Sequence, residues 1–176
     1  MTMSVLQPQL TATMRDVRLL HCDGDLALGA STDLFVTIWR DRTTLDGVEI
    51  LQTHLSDFAN DRPKELALLT IIEAGAKMPA SGTREPLARV LNGVADHVLI
   101  SGVAFEGEGF LAASIRSVVV GLTLIARQPF PHRTFKDVEE VSRWFESERA
   151  SIGKHFEARA VQRIVAGFRR LVAQQP

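Results

Sequence analysis

The spacing of apolar and polar residues divides this chain into strand-like and helix-like segments that follow one another in a regular order. Two short apolar runs, residues 17–22 and 25–30, flank Asp23 and Gly24. An Asp-Gly pair between two such runs favours a tight hairpin, because glycine tolerates positive φ. Leu34–Trp39 has a period of two, with bulky residues on both faces, and this predicts a third strand. We expect these strands to form an antiparallel part of a sheet.

Beyond the third strand, helical and strand periodicities alternate. Residues 43–62 place apolar side chains on one helical face, and Thr43 with Asp46 fits the start of that helix. Leu66–Ile72 is an almost unbroken apolar run, which favours a central strand buried on both faces. The glycines and prolines of residues 73–82 predict an irregular loop, and a second helical stripe follows it.

The second half of the chain continues the alternation. Val98–Phe105 is another candidate for a buried strand, and residues 110–125 predict a helix that is apolar on nearly all sides. Such a helix has to be covered on more than one side. His132–Phe135 predicts a short edge strand before a further helix, and residues 161–172 predict a last helix with one clear apolar face.

The order of these segments predicts the fold class. Strands that alternate with helices imply an α/β fold with a mixed, partly parallel sheet. A chain of 176 residues fits one such domain with an added segment. We therefore divide it into an α/β domain over residues 1–150 and a C-terminal amphipathic helix within residues 151–176.

Composition and charge narrow the class of protein. The formal net charge is -1, which argues against bulk electrostatic binding to nucleic acid. The single cysteine, Cys22, cannot form an internal disulfide, and this favours a reducing, cytoplasmic setting. Residues 1–15 lack the pattern of a secretion signal. The apolar stretch over residues 110–125 is short and contains Arg116, so we interpret it as a buried helix rather than a membrane span.

The residues that could carry chemistry form no recognisable catalytic or metal-binding motif. His21, Cys22 and Asp23 have side chains that can ligate a metal ion. Neighbouring residues of a strand point to opposite faces, however, so we expect a hairpin and no metal site here. Carboxylates that follow the buried strands could converge for acid–base work, and these are Glu73, Glu106 and Glu108. No nucleophile or phosphate loop accompanies them, so we expect no enzyme and no cofactor.

One local motif, together with the order of segments, resembles a known family. Residues 135–144 read Phe-Lys-Asp-Val-Glu-Glu-Val-Ser-Arg-Trp, an aromatic residue and an acidic pair followed by Trp144. This resembles the end of STAS/SpoIIAA-like domains, the α/β domains of anti-sigma-factor antagonists and sulfate-transporter tails, and above all stand-alone bacterial members. The resemblance covers residues 17–148. It implies regulation through protein contacts or ligand sensing, and not usually catalysis.

The resemblance also implies a candidate modification site. In anti-sigma antagonists, a partner kinase phosphorylates a serine at the start of the second main helix. The matching loop is residues 78–83, in which Ser81 is the nearest equivalent and Thr83 lies beside it. The acidic residue and serine expected before the glycine are replaced by Pro79 and Ala80. Helix capping by either hydroxyl is the alternative role.

We therefore predict a non-enzymatic regulatory or scaffolding module that acts on a protein partner or on a second copy of itself as a homo-oligomer. The expected contact positions on the two apolar helices are Phe110, Ile115, Val118, Leu122, Val161, Ile164, Val165, Phe168 and Leu171. For the last helix, packing within the protein or its oligomer ranks first, partner docking second and contact with an anionic membrane third. The alternative function is a binding module for a small hydrophobic or lipid-like ligand.

Overall fold

The computed structural model describes residues 17–60, 62, 64–109, 113, 114, 117 and 128–176. Its strands are β1 (Arg18–Cys22), β2 (Leu26–Ser31), β3 (Leu34–Trp39), β4 (Leu66–Ile72), β5 (Val98–Phe105) and β6 (His132–Phe135). The helices within the described residues are α1 (Leu45–Ala59), α2 (Arg84–Gly93), α3 (Val138–Ser147), α4 (Arg149–Ile152) and α5 (Ala158–Ala173). A 3₁₀ turn at Ala95–His97 leads into β5.

The strands form one six-stranded sheet whose spatial order follows the order along the chain. The β1–β2 and β2–β3 pairs are antiparallel, and the β3–β4, β4–β5 and β5–β6 pairs are parallel. The predicted α/β fold with a mixed, partly parallel sheet is therefore confirmed. The antiparallel start and the short edge strand at His132–Phe135 are confirmed as well.

The first hairpin forms where Asp23 and Gly24 predicted it, but Gly24 does not adopt the positive φ that the prediction invoked. Asp23 Oδ1 accepts hydrogen bonds from the backbone N–H groups of Asp25 and Leu26, at 2.8 and 2.7 Å. A carboxylate that bonds the backbone two and three residues ahead closes a tight turn. This local bonding fixes the pairing of β1 with β2.

Helix α1 begins one residue later than its sequence signals predicted. Thr44 is the N-cap, and its Oγ1 accepts from Gly47 N at 3.1 Å. The expectation for Thr43 is wrong, because Thr43 is buried and its carbonyl accepts from Ala80 N at 2.8 Å. The hydroxyl of Thr44 satisfies one of the free N–H groups that every helix start leaves.

One face of the sheet is covered by α1 and α2. Parallel crossovers are right-handed in nearly all proteins, so a strand order that follows the chain brings successive crossover helices to the same face. Phe58 of α1 packs on Phe35 of β3, with ring centroids 5.6 Å apart. Val90 of α2 belongs to the same buried cluster as Leu68 of β4.

The opposite face is covered by α3 and α5. Val141 and Phe145 of α3 form a buried cluster with Val36 and Leu69 of the central strands. Phe168 of α5 is 0% exposed in the same cluster and lies over Gly29 of β2. The terminal amphipathic helix therefore packs on the sheet of its own chain.

The motif at residues 135–144 joins the edge strand to α3. Asp137 caps α3 by accepting from Glu140 N at 2.8 Å. Phe135 and Trp144 bring their rings to 5.2 Å between centroids, and Trp144 Nε1 donates to Glu148 Oε1 at 2.9 Å. The acidic and aromatic residues of the motif thus set where α3 starts and how it meets β6.

The predicted apolar helix over residues 110–125 lies largely outside the described residues. Within it, Ala113, Ser114 and Ser117 are described and are helical. In the described part of the chain, none of the helices has the length and apolar character that crossing a membrane requires.

A glycine-to-alanine exchange tests the docking of α5. A Cβ at position 29 would lie 2.6–2.9 Å from three ring carbons of Phe168, so something must shift. We expect Gly29→Ala to lower the free energy of unfolding by about 1–3 kcal/mol. Gly93→Ala is the matched control, since a Cβ there meets nothing within 4 Å. Chemical denaturation measures both, and an unchanged Gly29→Ala midpoint would show that Phe168 does not occupy this place in solution.

Candidate functional site

The carboxyl ends of β3 and β4 carry two loops that lie side by side. Trp39 and Ile72, the last residues of the two strands, are register partners. The loops that follow, residues 41–45 and 73–85, form a surface that we call the loop edge. In sheets with parallel strands, binding sites concentrate at the carboxyl ends of the strands.

Backbone and side-chain bonds hold the two loops of the loop edge together. Lys77 N donates to Asp41 O at 2.5 Å, and Lys77 Nζ pairs with Asp41 Oδ2 at 2.8 Å. Three residues on, Ala80 N donates to Thr43 O at 2.8 Å. Ala76 is buried in the core between the loop and the sheet. These contacts give an irregular segment a defined position.

The loop edge presents two large apolar side chains to solvent. Leu45 is 48% exposed and Met78 is 38% exposed, and within the described part of the chain these are the exposed large hydrophobic residues. The bonds from Lys77 to Asp41 and from Ala80 to Thr43 place the two segments next to each other. Exposed apolar side chains on adjoining segments make the loop edge a candidate contact surface for a protein or a ligand.

A hollow opens beside Met78. Its volume is 390 Å³, and it is lined by residues 78–85. These residues belong to one segment, and they include Ser81, Arg84 and Glu85. The apolar helix that we expected to wall a ligand pocket lies largely outside the described residues. The hydrophobic-ligand alternative therefore stays a prediction.

The two candidate modification residues differ in accessibility. Thr83 is 1% exposed, and its Oγ1 donates to Ala80 O at 2.9 Å instead of capping α2. Ser81 is exposed, and Gly82, with φ 81°, separates it from the helix start. Ser81 is therefore accessible to solvent, whereas the hydroxyl of Thr83 is buried and hydrogen-bonded.

The candidate catalytic carboxylates have different surroundings. Arg169 of α5 donates from Nη2 to both carboxylate oxygens of Glu106, at 2.8 and 2.7 Å. This ion pair fastens the terminal helix to the end of β5. Glu73 is half-buried and Glu108 is exposed.

The histidine and cysteine near the hairpin serve its structure. His21 Nε2 lies 2.8 Å from Asp23 Oδ2, and Cys22 Sγ lies 3.6 Å from Nη1 of Arg40. Burial raises the pKa of Asp23, but the hydrogen bonds from His21 and from two backbone N–H groups outweigh it and lower the pKa overall. No cluster of metal-ligating side chains occurs in the part of the chain that the structure describes.

A histidine outside the loop edge is desolvated. His132 of β6 is the register partner of Ser101 of β5, and its Nδ1 lies 3.0 Å from Ser101 Oγ. Burial lowers the pKa of His132 below its ordinary value of 6.5. The neutral ring of His132 and the buried hydroxyl of Ser101 are hydrogen-bonded to each other at the edge of the sheet.

The predicted contact positions fall into two groups. Phe110, Ile115, Val118 and Leu122 lie outside the described residues. Val161, Ile164, Val165 and Phe168 are buried against the chain's own sheet, and Leu171 is half-buried. In this structure, then, the apolar face of α5 is not a surface that a partner could reach.

Sequence reasoning missed the residues that define the loop edge. Leu45 sits at the polar end of an otherwise amphipathic helix, and Met78 lies within an irregular loop. An apolar residue in each loop after neighbouring parallel strands is a signal that could have found them. The pairing of Arg169 with Glu106 was not predicted either, because nothing in the local sequence connects the two residues.

Comparison with known proteins returned no relative: no family model, no curated protein and no solved structure matches this chain.

The buried histidine makes stability depend on pH in a defined direction. Because the pKa of His132 is lowered in the folded state, the unfolded chain takes up the proton first as pH falls below about 6.5. We expect this residue to remove at most about 1.4 kcal/mol of stability per pH unit in that range. Thermal melts at about pH 7.5 and about pH 5.5 should show a smaller loss for His132→Asn than for the wild type. Equal losses would contradict the prediction.

Proposed function

We propose that this chain is a non-enzymatic regulatory or scaffolding module that binds a protein partner through the loop edge. The observation that carries the proposal is that the loop edge exposes the large apolar side chains of Leu45 and Met78 on two segments that backbone hydrogen bonds hold side by side. A partner that covered both side chains would remove apolar surface from water, which favours association by about 25 cal/mol per Å² before entropy costs.

The loop edge suits recognition better than chemistry. It offers apolar contact from Met78, charge from Arg84 and Glu85, and a hollow of 390 Å³ between them. An apolar centre with a polar rim is the usual composition of a protein interface. The carboxylate of Glu106 forms an ion pair with Arg169, and this pair supports the position of α5 instead of leaving the carboxylate free for acid–base chemistry.

The resemblance to STAS/SpoIIAA-like domains points to the same region. Regulation in that family acts at the loop before the second main helix, which here corresponds to residues 78–83 of the loop edge. Of the two candidate hydroxyls, Ser81 is the exposed one. A phosphate on Ser81 would add negative charge near the start of α2, where helix dipoles favour anions, and would change the charge of the surface that the partner meets. We place this activity in the cytoplasm.

Replacing the two exposed apolar side chains tests the proposal. We expect the double variant Leu45→Ser/Met78→Ser to recover at least about tenfold less of a specific partner from native cells than the wild type, because about 1.4 kcal/mol of apolar contact is lost. Quantitative mass spectrometry of the recovered proteins measures the difference. The affinity of the identified partner for both purified chains then gives the loss directly.

The control for this experiment is Ala173→Ser, a change at an exposed position at the end of α5. Its recovery should equal that of the wild type. A chain cut at residue 150 is not a suitable comparison, because removing α5 would expose the sheet face under Phe168. Equal recovery by the double variant and the wild type would refute the loop edge as the docking surface.

A further inference from the structure

The exposed face of α5 carries a row of arginines. Arg159, Arg163 and Arg170 are exposed, and none of them forms an ion pair with another described residue. They recur at intervals of four and seven residues, which keeps them on one side of a helix. Ala166, a small exposed residue, lies in the same row. Helix α5 contains no Asp or Glu.

The exposed face of α1 carries the opposite charge. Asp46, Glu49 and Asp57 are exposed, and none of them forms an ion pair within the described part of the chain. Helix α1 contains no Lys or Arg. Since α1 covers one face of the sheet and α5 covers the other, a basic surface and an acidic surface lie on opposite sides of the same molecule.

The arginines of α5 and the acidic residues of α1 match in their spacing along the helices. Arg159 and Arg170 are as far apart along their helix as Asp46 and Asp57 are along theirs, about 16 Å at 1.5 Å per residue. When the helices are laid side by side in the same direction, Asp46 meets Arg159 and Asp57 meets Arg170. Glu49 then lies within one residue of the level of Arg163.

We infer that α5 of one chain docks on α1 of a second copy of this chain, in a head-to-tail arrangement held by these complementary charges. The inference deepens the proposed function and rests on its premise that the protein works through protein contacts. It uses no residue of the loop edge. Because the contact joins two different surfaces, each added copy leaves one basic and one acidic face free, and assembly continues as a filament or closes as a ring.

Association of this kind is weak and sensitive to salt. Exposed ion pairs each contribute little, and salt screens them over a few ångströms at high ionic strength. We expect sedimentation velocity at about 20 mM NaCl to show an average mass that rises with concentration above the 19.4 kDa monomer. At about 500 mM NaCl, the association constant should fall at least about tenfold.

Charge reversal in two separate chains gives the decisive test. Arg170→Glu and Asp57→Arg should each assemble at least about tenfold more weakly at low salt, because like charges then meet in every contact. An equal mixture of the two variants should regain assembly. When the variants alternate, one contact pairs Glu at position 170 with Arg at position 57, and the next contact pairs the unaltered arginine and aspartate. Arg149→Glu, an exposed reversal outside α5, is the matched control and should assemble like the wild type.

Several results would overturn the inference. These are a wild-type monomer at low salt, assembly that persists in either single variant, and a mixture that fails to recover. Circular dichroism and the melting temperature check that the variants fold. Arg170→Gln removes the charge without reversing it, so it should weaken assembly less than Arg170→Glu does. The Leu45→Ser/Met78→Ser variant should still assemble. If the double variant failed to assemble, the contact between copies would lie at the loop edge, and the inference would be wrong. If the double variant assembled and also recovered its partner as well as the wild type, only the proposed function would be refuted.

Discussion

The need to bury both faces of the central strands governs this structure. In β2, β3 and β4 nearly every side chain is removed from water, so neither face of the sheet can be left to solvent. Helices between parallel strands supply one layer. The second layer comes from α3 and α5, which follow the last strand. Burial of apolar surface is the dominant favourable term in folding, so the final helix is an integral part of the domain.

Close approach between helix and sheet depends on small residues at the contact points. Phe168 fits over Gly29, and Val141 with Phe145 fits over Gly102. A side chain at either glycine would push the helices outward. The ion pair between Arg169 and Glu106 then fixes α5 at the far end of the sheet. Apolar packing of Phe168 holds α5 against the sheet, and the ion pair of Arg169 with Glu106 adds a second point of attachment.

Local patterns in the sequence were sufficient for most elements of the fold. The unbroken run Leu66–Ile72 and the period of two in Leu34–Trp39 each marked a strand at its observed bounds. Contacts between distant segments were not accessible in this way. The bond from Ala80 to Thr43 and the pair between Glu106 and Arg169 depend on how elements meet in space, and no local period encodes them. The loop edge was missed for the same reason, because its two segments come side by side only after β3 and β4 pair.

The last helix lies against the first two strands, and this has a consequence for synthesis. Phe168 completes a cluster that includes Ala27 of β2, although β2 is synthesised long before α5. Until α5 has emerged from the ribosome, the part of the sheet under Phe168 stays uncovered and open to chaperones or aggregation. A chain truncated before α5 would leave that apolar face open to water, where it favours aggregation.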